Sequence, residues 1–177
     1  MPLDEKTLQM FMSGEYPKQV AALTLITGSR AVAEDVVQEA LVRAWERSRK
    51  GENPDSLPAW VMTVSVNLAR SRFRKLRAEA RAKRELAQEQ SVAAEAPSRS
   101  QALDVRREVR NLPRSQREVL VLRYYLGLTV AETAERLKLT EGSVKTTLYR
   151  ARQALGSRLG EPEEEGLALN ASLGEAP

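Results

Sequence analysis

The chain has 177 residues, with 28 Lys and Arg against 24 Asp and Glu, and therefore a net charge of +4. This length can hold one ordinary domain or two small ones. Cys and His are both absent, which excludes disulfides, Cys or His nucleophiles, His general bases and zinc sites of the usual ligand types.

The charge is unevenly distributed along the chain. Residues 161–177 contain five Glu and no Lys or Arg, so the remainder carries +9. Between Arg70 and Arg84, eight basic residues accompany a single acid, Glu79. A basic body with a basic run favours a polyanionic partner, most often nucleic acid. A solvated helix flank is the alternative, and it is the commoner meaning of a charge run.

The sequence predicts a cytoplasmic protein. The first ten residues, MPLDEKTLQM, contain an early Asp–Glu pair and no long apolar core, unlike a signal peptide. No stretch is apolar for long enough to span a membrane, so we expect no membrane insertion. The lack of Cys suits a reducing compartment. No Gly-rich phosphate loop is present, and we expect no cofactor and no metal.

The clearest predicted helix runs from Ala31 to Arg49, where apolar residues recur at intervals of three and four. Gly, Asn and Pro in residues 49–58 break it. A second element starts near Leu57, where apolar and polar residues alternate as they do in a strand. We predict a helix there too, because a single strand would have no partner in a chain this helical.

Composition divides the chain into four segments. These are an apolar, helix-patterned block (1–82), a linker poor in large apolar residues (83–103), a second periodic block (104–160) and an acidic disordered tail (161–177). Helix can persist into the linker to about Gln90. The predicted fold is therefore all-α, with two small helical domains joined by a flexible linker.

The second block predicts a helix-turn-helix. Pro113 suits the first turn of a leading helix, which Gly127 can end. The sequence TVAE, from Thr129 to Glu132, fits a capping box, and Thr140 suits the N-cap of the next helix. Two short helices joined by a tight connection form this motif, whose second helix enters the major groove of DNA.

That second helix, TEGSVKTTLYRARQAL (140–155), has two faces. Its apolar stripe consists of Val144, Leu148, Ala151 and Leu155. Its other face has hydroxyls, an amide and cations but no carboxylate: Ser143, Lys145, Thr146, Tyr149, Arg150 and Gln153. Such a face, with Arg152 beside it, can bind phosphates and base edges. Gly142 lets the backbone come close to a phosphate. Capped short helices also occur in plain bundles, so the motif alone leaves both interpretations open.

Three segments together resemble the bacterial sigma factors of the extracytoplasmic-function type. AEDVVQEALVRAW (33–45) resembles their polymerase-binding helix, and LPAWVMTVSVNLARSRFRK (57–75) resembles their promoter-melting segment. Residues 112–155 resemble their domain for the upstream promoter element. The segments follow the family's order and cover roughly residues 10–160. The resemblance implies a non-enzymatic factor that binds core RNA polymerase, recognises −35 and −10 promoter elements and initiates transcription.

The same resemblance implies roles for individual residues. The residues that would face the polymerase are Asp35, Gln38, Glu39 and Arg43; their alternative is a solvated helix face. Asn67 and the loop Lys50–Pro58 would hold an unpaired base of the −10 element, and the residues that would follow its backbone are Arg70, Arg72, Arg74 and Lys75. Those that would bind the −35 element are Ser143, Lys145, Thr146, Tyr149 and Arg150. Trp45 and Trp60 are predicted to pack in the core first, with a place near the melted strand as the alternative for Trp60. The family also implies an anti-sigma regulator.

Two other functions remain open at this level. A helix-turn-helix regulator that does not bind polymerase would explain residues 104–160 but leave the first block without a role. An enzyme acting on nucleic acid would need a carboxylate cluster for metal ions. The acids here lie on amphipathic helix faces or in the tail, which disfavours such an enzyme.

Overall fold

The computed structural model describes residues 3–86 and 101–159, and every regular element within them is helical. This confirms the all-α prediction. The helices are α1 (Glu5–Met10), a π-helical turn (Phe11–Glu15), α2 (Tyr16–Thr27), α3 (Arg30–Arg49), α4 (Leu57–Leu86), α5 (Gln101–Asn111), α6 (Arg114–Leu120), a second π-helical turn (Val121–Tyr125), α7 (Val130–Leu137) and α8 (Glu141–Leu159).

The N-terminal half is a bundle in which α3 packs against both α2 and α4. Gly28 ends α2 with a φ of +79°, a left-handed conformation that suits glycine. Ser29 then caps α3, because its side chain accepts a hydrogen bond from the Val32 amide. The buried face of α3 is made of small and β-branched residues: Ala33, Val36, Val37, Ala40 and Ala44. These allow its neighbours to approach closely.

The ambiguous segment after Leu57 is helical, as predicted, and it forms α4. Its apparent strand alternation has a local explanation. Ser65 is fully buried, and its hydroxyl donates to the carbonyl of Val36 on α3 at 3.2 Å. Thr63 donates to the carbonyl of Ala59 one turn earlier. The polar residues in this apolar run therefore have partners inside the helical bundle.

The C-terminal half contains the predicted helix-turn-helix, formed by α7 and α8. Both hydrogen bonds of the capping box are present at Thr129 and Glu132. Thr140 accepts from the Ser143 amide at 3.2 Å and begins α8. Gly127 has a φ of +68° and lies two residues after the second π-helical turn, which continues α6. Pro113 is the N-cap of α6 and lies one residue before its first turn.

The two halves are packed against each other, which no pattern in the sequence predicted. Helix α2 contacts α5, α6 and the second π-helical turn, and α4 contacts α7. Helices α4 and α5 also extend into the segment predicted as a linker, to Leu86 and from Gln101. Residues 87–100 and the predicted acidic tail lie outside the described residues.

Candidate nucleic-acid and partner interfaces

The polar face of α8 is exposed over its whole length. The predicted stripe of Val144, Leu148, Ala151 and Leu155 is buried against the rest of the C-terminal half. This burial turns the opposite face to solvent, including every predicted −35 residue: Ser143, Lys145, Thr146, Tyr149 and Arg150. The only acid on the described helix is Glu141, 4.0 Å from the Lys145 ammonium in the first turn. The face is therefore a cationic ridge suited to a polyanion.

Several polar groups of this ridge already have hydrogen-bond partners on their own helix. The Ser143 hydroxyl lies 2.8 Å from that of Thr140, and the Thr146 hydroxyl donates to the Gly142 carbonyl at 2.9 Å. The Tyr149 hydroxyl accepts from Gln153 at 2.7 Å. These bonds fix the side-chain directions of the ridge and reduce the entropy lost on binding.

No neighbouring residue requires Gly142 to be small. A Cβ added there would have one heavy atom within 4 Å, the Thr140 hydroxyl oxygen at 4.0 Å. Glycine in the first turn of a helix costs stability relative to alanine. Its presence on the exposed side is consistent with close approach of an external backbone.

Helix α3 presents the predicted polymerase-binding residues on its outer face. Asp35 and Gln38 are exposed, and Arg43 is bonded to Glu39 at 2.7 Å. The same face includes Trp45, whose side chain is 45% exposed, so the prediction that Trp45 packs in the core is wrong. The reason is its position: the buried stripe passes through Ala44, and the next residue points outward.

Val42 belongs to the same outer face and was missed in the sequence. It is 57% exposed and follows Gln38 by one helical turn. The sequence could have revealed it, because the helical period places Val42, an apolar residue, on the polar face of α3. Val42 and Trp45 are three residues apart and are therefore neighbours on the helix surface. An exposed apolar patch with a polar rim is typical of protein-binding surfaces.

The predicted −10 residues point in different directions from α4. Arg72 bonds to Asp35 and Glu39 on α3, at 3.3 Å and 3.2 Å. Arg74 and Lys75 are exposed to solvent. These cations therefore do not form one row, and only the last two are presented to solvent without contact to α3.

Arg70 is engaged by the C-terminal half. Its guanidinium donates to Glu118 on α6 at 2.9 Å from Nε, and its Nη2 lies 2.7 Å from the same oxygen. Nη1 donates to the Leu137 carbonyl at the end of α7 at 2.8 Å. Glu118 is 2% exposed and is also bonded by Arg114 at 2.6 Å. The sequence contained one clue to this cluster, an acid within the apolar run REVLVL.

The loop between α3 and α4 contains the remaining −10 candidates. Lys50 follows α3 directly and is exposed, and Gly51 has a φ of +81°. Asn53 has a buried side-chain oxygen without a hydrogen-bond partner among the described residues. Trp60 is half-buried against the core, with the Arg47 guanidinium 5.8 Å from its ring centroid. Asn67 is half-buried, one turn before Arg70 on α4.

Neither a metal site nor a membrane helix is found in the part of the chain that the structure describes. Among the side chains that the structure describes, those of residues 3–81 and 105–159, no three from His, Cys, Asp or Glu come together in a way that could hold a metal ion. Over residues 3–86 and 101–159, no helix is both long and apolar enough to cross a bilayer.

Comparisons with known proteins agree with this architecture. Residues 15–79 match the family model "Sigma-70 region 2", and residues 102–155 match "Sigma-70, region 4". A solved structure with a TM-score of 0.69, the sigma factor RpoE in complex with the anti-sigma factor NepR from Bartonella quintana, has the same fold. The RpoE sequence is 24% identical to this one, and the match covers 89% of this chain and 98% of the RpoE chain.

Curated relatives give the closer sequence evidence. The "Probable RNA polymerase sigma factor RfaY" of Xanthomonas campestris is 34% identical to this chain. The match covers 79% of this chain but only 37% of the length of RfaY. The ECF RNA polymerase sigma factor SigL of Mycobacterium tuberculosis is 33% identical over 77% of this chain and 79% of its own length. The chain therefore belongs to the extracytoplasmic-function sigma factors, the promoter-recognising subunits of bacterial RNA polymerase in the sigma-70 family.

Proposed function

We propose that the outer face of α3 binds core RNA polymerase while α8 reads the −35 element. The observation that carries the second role is the exposed, cation-rich face of α8, which opposes its buried apolar stripe. In a helix-turn-helix, the N-terminal part of the second helix contacts base edges in the major groove. Lys145, Tyr149 and Arg150 lie along this face at helical spacing, which suits contacts to phosphates and bases in one groove.

The polymerase-binding surface that we infer on α3 combines charge with apolar area. It consists of Asp35, Gln38, Glu39, Val42, Arg43 and Trp45. Exposed Val42 and Trp45 supply surface that gains free energy when it leaves water, about 25 cal/mol for each Å². The charged residues around them supply specificity and orientation.

We infer that the loop 50–58 and Asn67 receive the unpaired −10 base. A flipped base needs polar groups for its Watson–Crick edge. The buried oxygen of Asn53 is such a group in this loop, because it has no partner among the described residues. Exposed Lys50, Arg74 and Lys75 supply cations for the backbone of the melted strand.

This chain is inferred to act in the cytoplasm by binding rather than by catalysis, under the control of an anti-sigma protein. Bartonella quintana RpoE, which shares the fold, has an anti-sigma factor, NepR, bound in its solved structure. The proposed promoter-binding surfaces are polar and exposed in the free chain, so an inhibitory partner would have direct access to them.

Run-off transcription with core polymerase on genomic fragments tests the proposal. We expect specific transcripts that core polymerase alone does not produce. Asp35→Ala with Gln38→Ala should weaken polymerase binding about tenfold or more, as expected for residues at an interface centre. Arg30→Ala is the matched control, since Arg30 pairs with Glu34 at the start of α3. A double variant that binds polymerase as tightly as this control would refute the role of the α3 face.

A further inference from the structure

The two halves of the chain are joined by a buried charge cluster around Glu118. Arg70 on α4 approaches the Glu118 carboxylate with two nitrogens, at 2.9 Å and 2.7 Å, and uses the third for the Leu137 carbonyl. One helical turn further along α4, Phe73 stacks under the Arg114 guanidinium at 4.3 Å from the ring centroid. These contacts of Arg70 and Phe73 all join α4 to the C-terminal half.

This cluster can separate without leaving an unpaired buried charge. Breaking a buried ion pair is usually costly because one partner remains charged and desolvated. Here Arg114 lies four residues before Glu118 on the same helix and bonds to its other oxygen at 2.6 Å. Glu118 therefore keeps a cation when the halves move apart, while Arg70 becomes hydrated.

The cluster also withholds Arg70 from any other anion. All three guanidinium nitrogens are used, and the side chain is 27% exposed. A phosphate group presents the same geometry as a carboxylate to a guanidinium, so the two compete for the same nitrogens. In contrast, the α8 ridge stays exposed in this arrangement.

We propose that the free chain is a closed form in which Arg70 binds Glu118, and that opening transfers Arg70 from Glu118 to the phosphate backbone of promoter DNA. The second half of this statement rests on the role in −10 binding that the sequence resemblance implies for Arg70. In the closed form the −35 ridge is available but Arg70 is not. Binding of the −10 strand by Arg70 then requires opening, whereas binding of the −35 element by α8 does not.

Distance measurements between the halves test the closed form. The chain has no Cys, so Met12→Cys and Ser157→Cys, both at exposed positions, give one dye site in each half of the full chain. Glu118→Gln should lower the energy-transfer efficiency. We expect the open-to-closed ratio to rise about tenfold, the factor associated with one charge-assisted hydrogen bond. Glu34→Gln is the matched control, because Glu34 pairs within α3, and it should leave the efficiency unchanged.

Arg70→Gln makes the proposal independent of how well Glu118→Gln folds. It removes the same contact from the more exposed partner, and it should open the chain to a similar extent. If Glu118→Gln loses helicity by circular dichroism, Arg70→Gln alone decides. Unchanged energy transfer in a helical Arg70→Gln chain overturns the closed form.

Binding of a short single-stranded DNA of random sequence tests the exchange. Glu118→Gln should bind it about tenfold more tightly than the parent chain, because more molecules are competent to bind. Arg70→Gln should open equally and show no such gain. An equal gain in both variants would leave the closed form standing but overturn the transfer of Arg70 to DNA, and with it the −10 role of Arg70. If the energy-transfer efficiency changes in neither variant, the closed form is overturned, but the proposed roles of the α3 and α8 surfaces are not affected.

Discussion

Arg72 on α4 and Glu39 on α3 form an ion pair, with Nη2 and Oε2 3.2 Å apart. The other terminal nitrogen of Arg72 lies 3.3 Å from Asp35. The resemblance assigns Arg72 to DNA and the two acids to polymerase. The structure instead joins all three in one network, so Arg72 is in a position to orient the polymerase-binding face.

We therefore expect Arg72→Ala to weaken binding of core polymerase. Its side chain is 38% exposed, so the effect should be that of a surface pair, roughly two- to fivefold in affinity. Arg74→Ala is the matched control, because Arg74 is exposed and has no bond to α3 among the described residues. Titration of labelled core polymerase with both variants measures the difference. A larger loss with Arg74→Ala would contradict the orienting role.

Arg150 and Lys145 on α8 should differ in what they contribute to DNA binding. Arg150 can make a planar two-point contact, whereas Lys145 is a point charge in the first turns of the helix. Arg150→Ala should reduce discrimination between promoter and random DNA by about 1–3 kcal/mol if it reads a guanine. Lys145→Ala should weaken both DNAs alike and lower the salt slope by about 1. Equal losses on both DNAs for the two variants would remove this distinction.

The capping box of α7 should make the C-terminal half sensitive to acid. The Thr129 backbone amide and hydroxyl donate to the Glu132 carboxylate and hold its pKa below the usual 4.5. A lowered pKa stabilises the fold above pH 4.5, and this stabilisation is lost as the pH falls through the lowered value. Glu132→Gln can keep the capping geometry but loses the charge, so it should melt at a slightly lower temperature near pH 7. The gap in melting temperature should close as the pH falls below 4.5, and a gap that stays constant with pH would contradict this account.

The disorder of the acidic segment 161–177 remains a prediction from the sequence, since these residues lie outside the described ones. The segment follows α8 closely in sequence, so its five Glu are tethered to the helix that we propose reads the −35 element. We expect truncation after Leu159 to tighten DNA binding slightly at low salt and not at high salt, because the charges are screened within about 8 Å at physiological salt. Equal binding of both forms at low salt would make the segment electrostatically inert.

The sequence predicted what depends on local spacing. The buried stripe of α8, the capping box at Thr129 and the helical nature of α4 each follow from residues within a few positions of one another. The helix-turn-helix and its exposed cationic face follow from the same patterns. These features were predictable because helix periodicity and capping are properties of neighbouring residues.

The features that depend on contacts between distant residues were not predictable. Arg70 and Glu118 are 48 positions apart, and nothing in either local segment identifies the other as its partner. Trp45 was expected in the core because large aromatic residues are usually buried. Its exposure depends on where the buried face of α3 ends, and a difference of one residue decides it. It also depends on which neighbouring residues cover the Trp45 side chain.

The exposure of Trp45 gives the protein a built-in optical signal. The chain has only two tryptophans, and the other, Trp60, is half-buried beside Arg47. In a Trp60→Phe background, the emission would come from Trp45 alone. If a partner without tryptophan covers α3, that indole leaves water and its emission should shift to shorter wavelength, whereas a ligand on α8 should leave it unchanged. The emission of the unlabelled protein could then show, after each addition of a partner, whether the α3 surface is occupied.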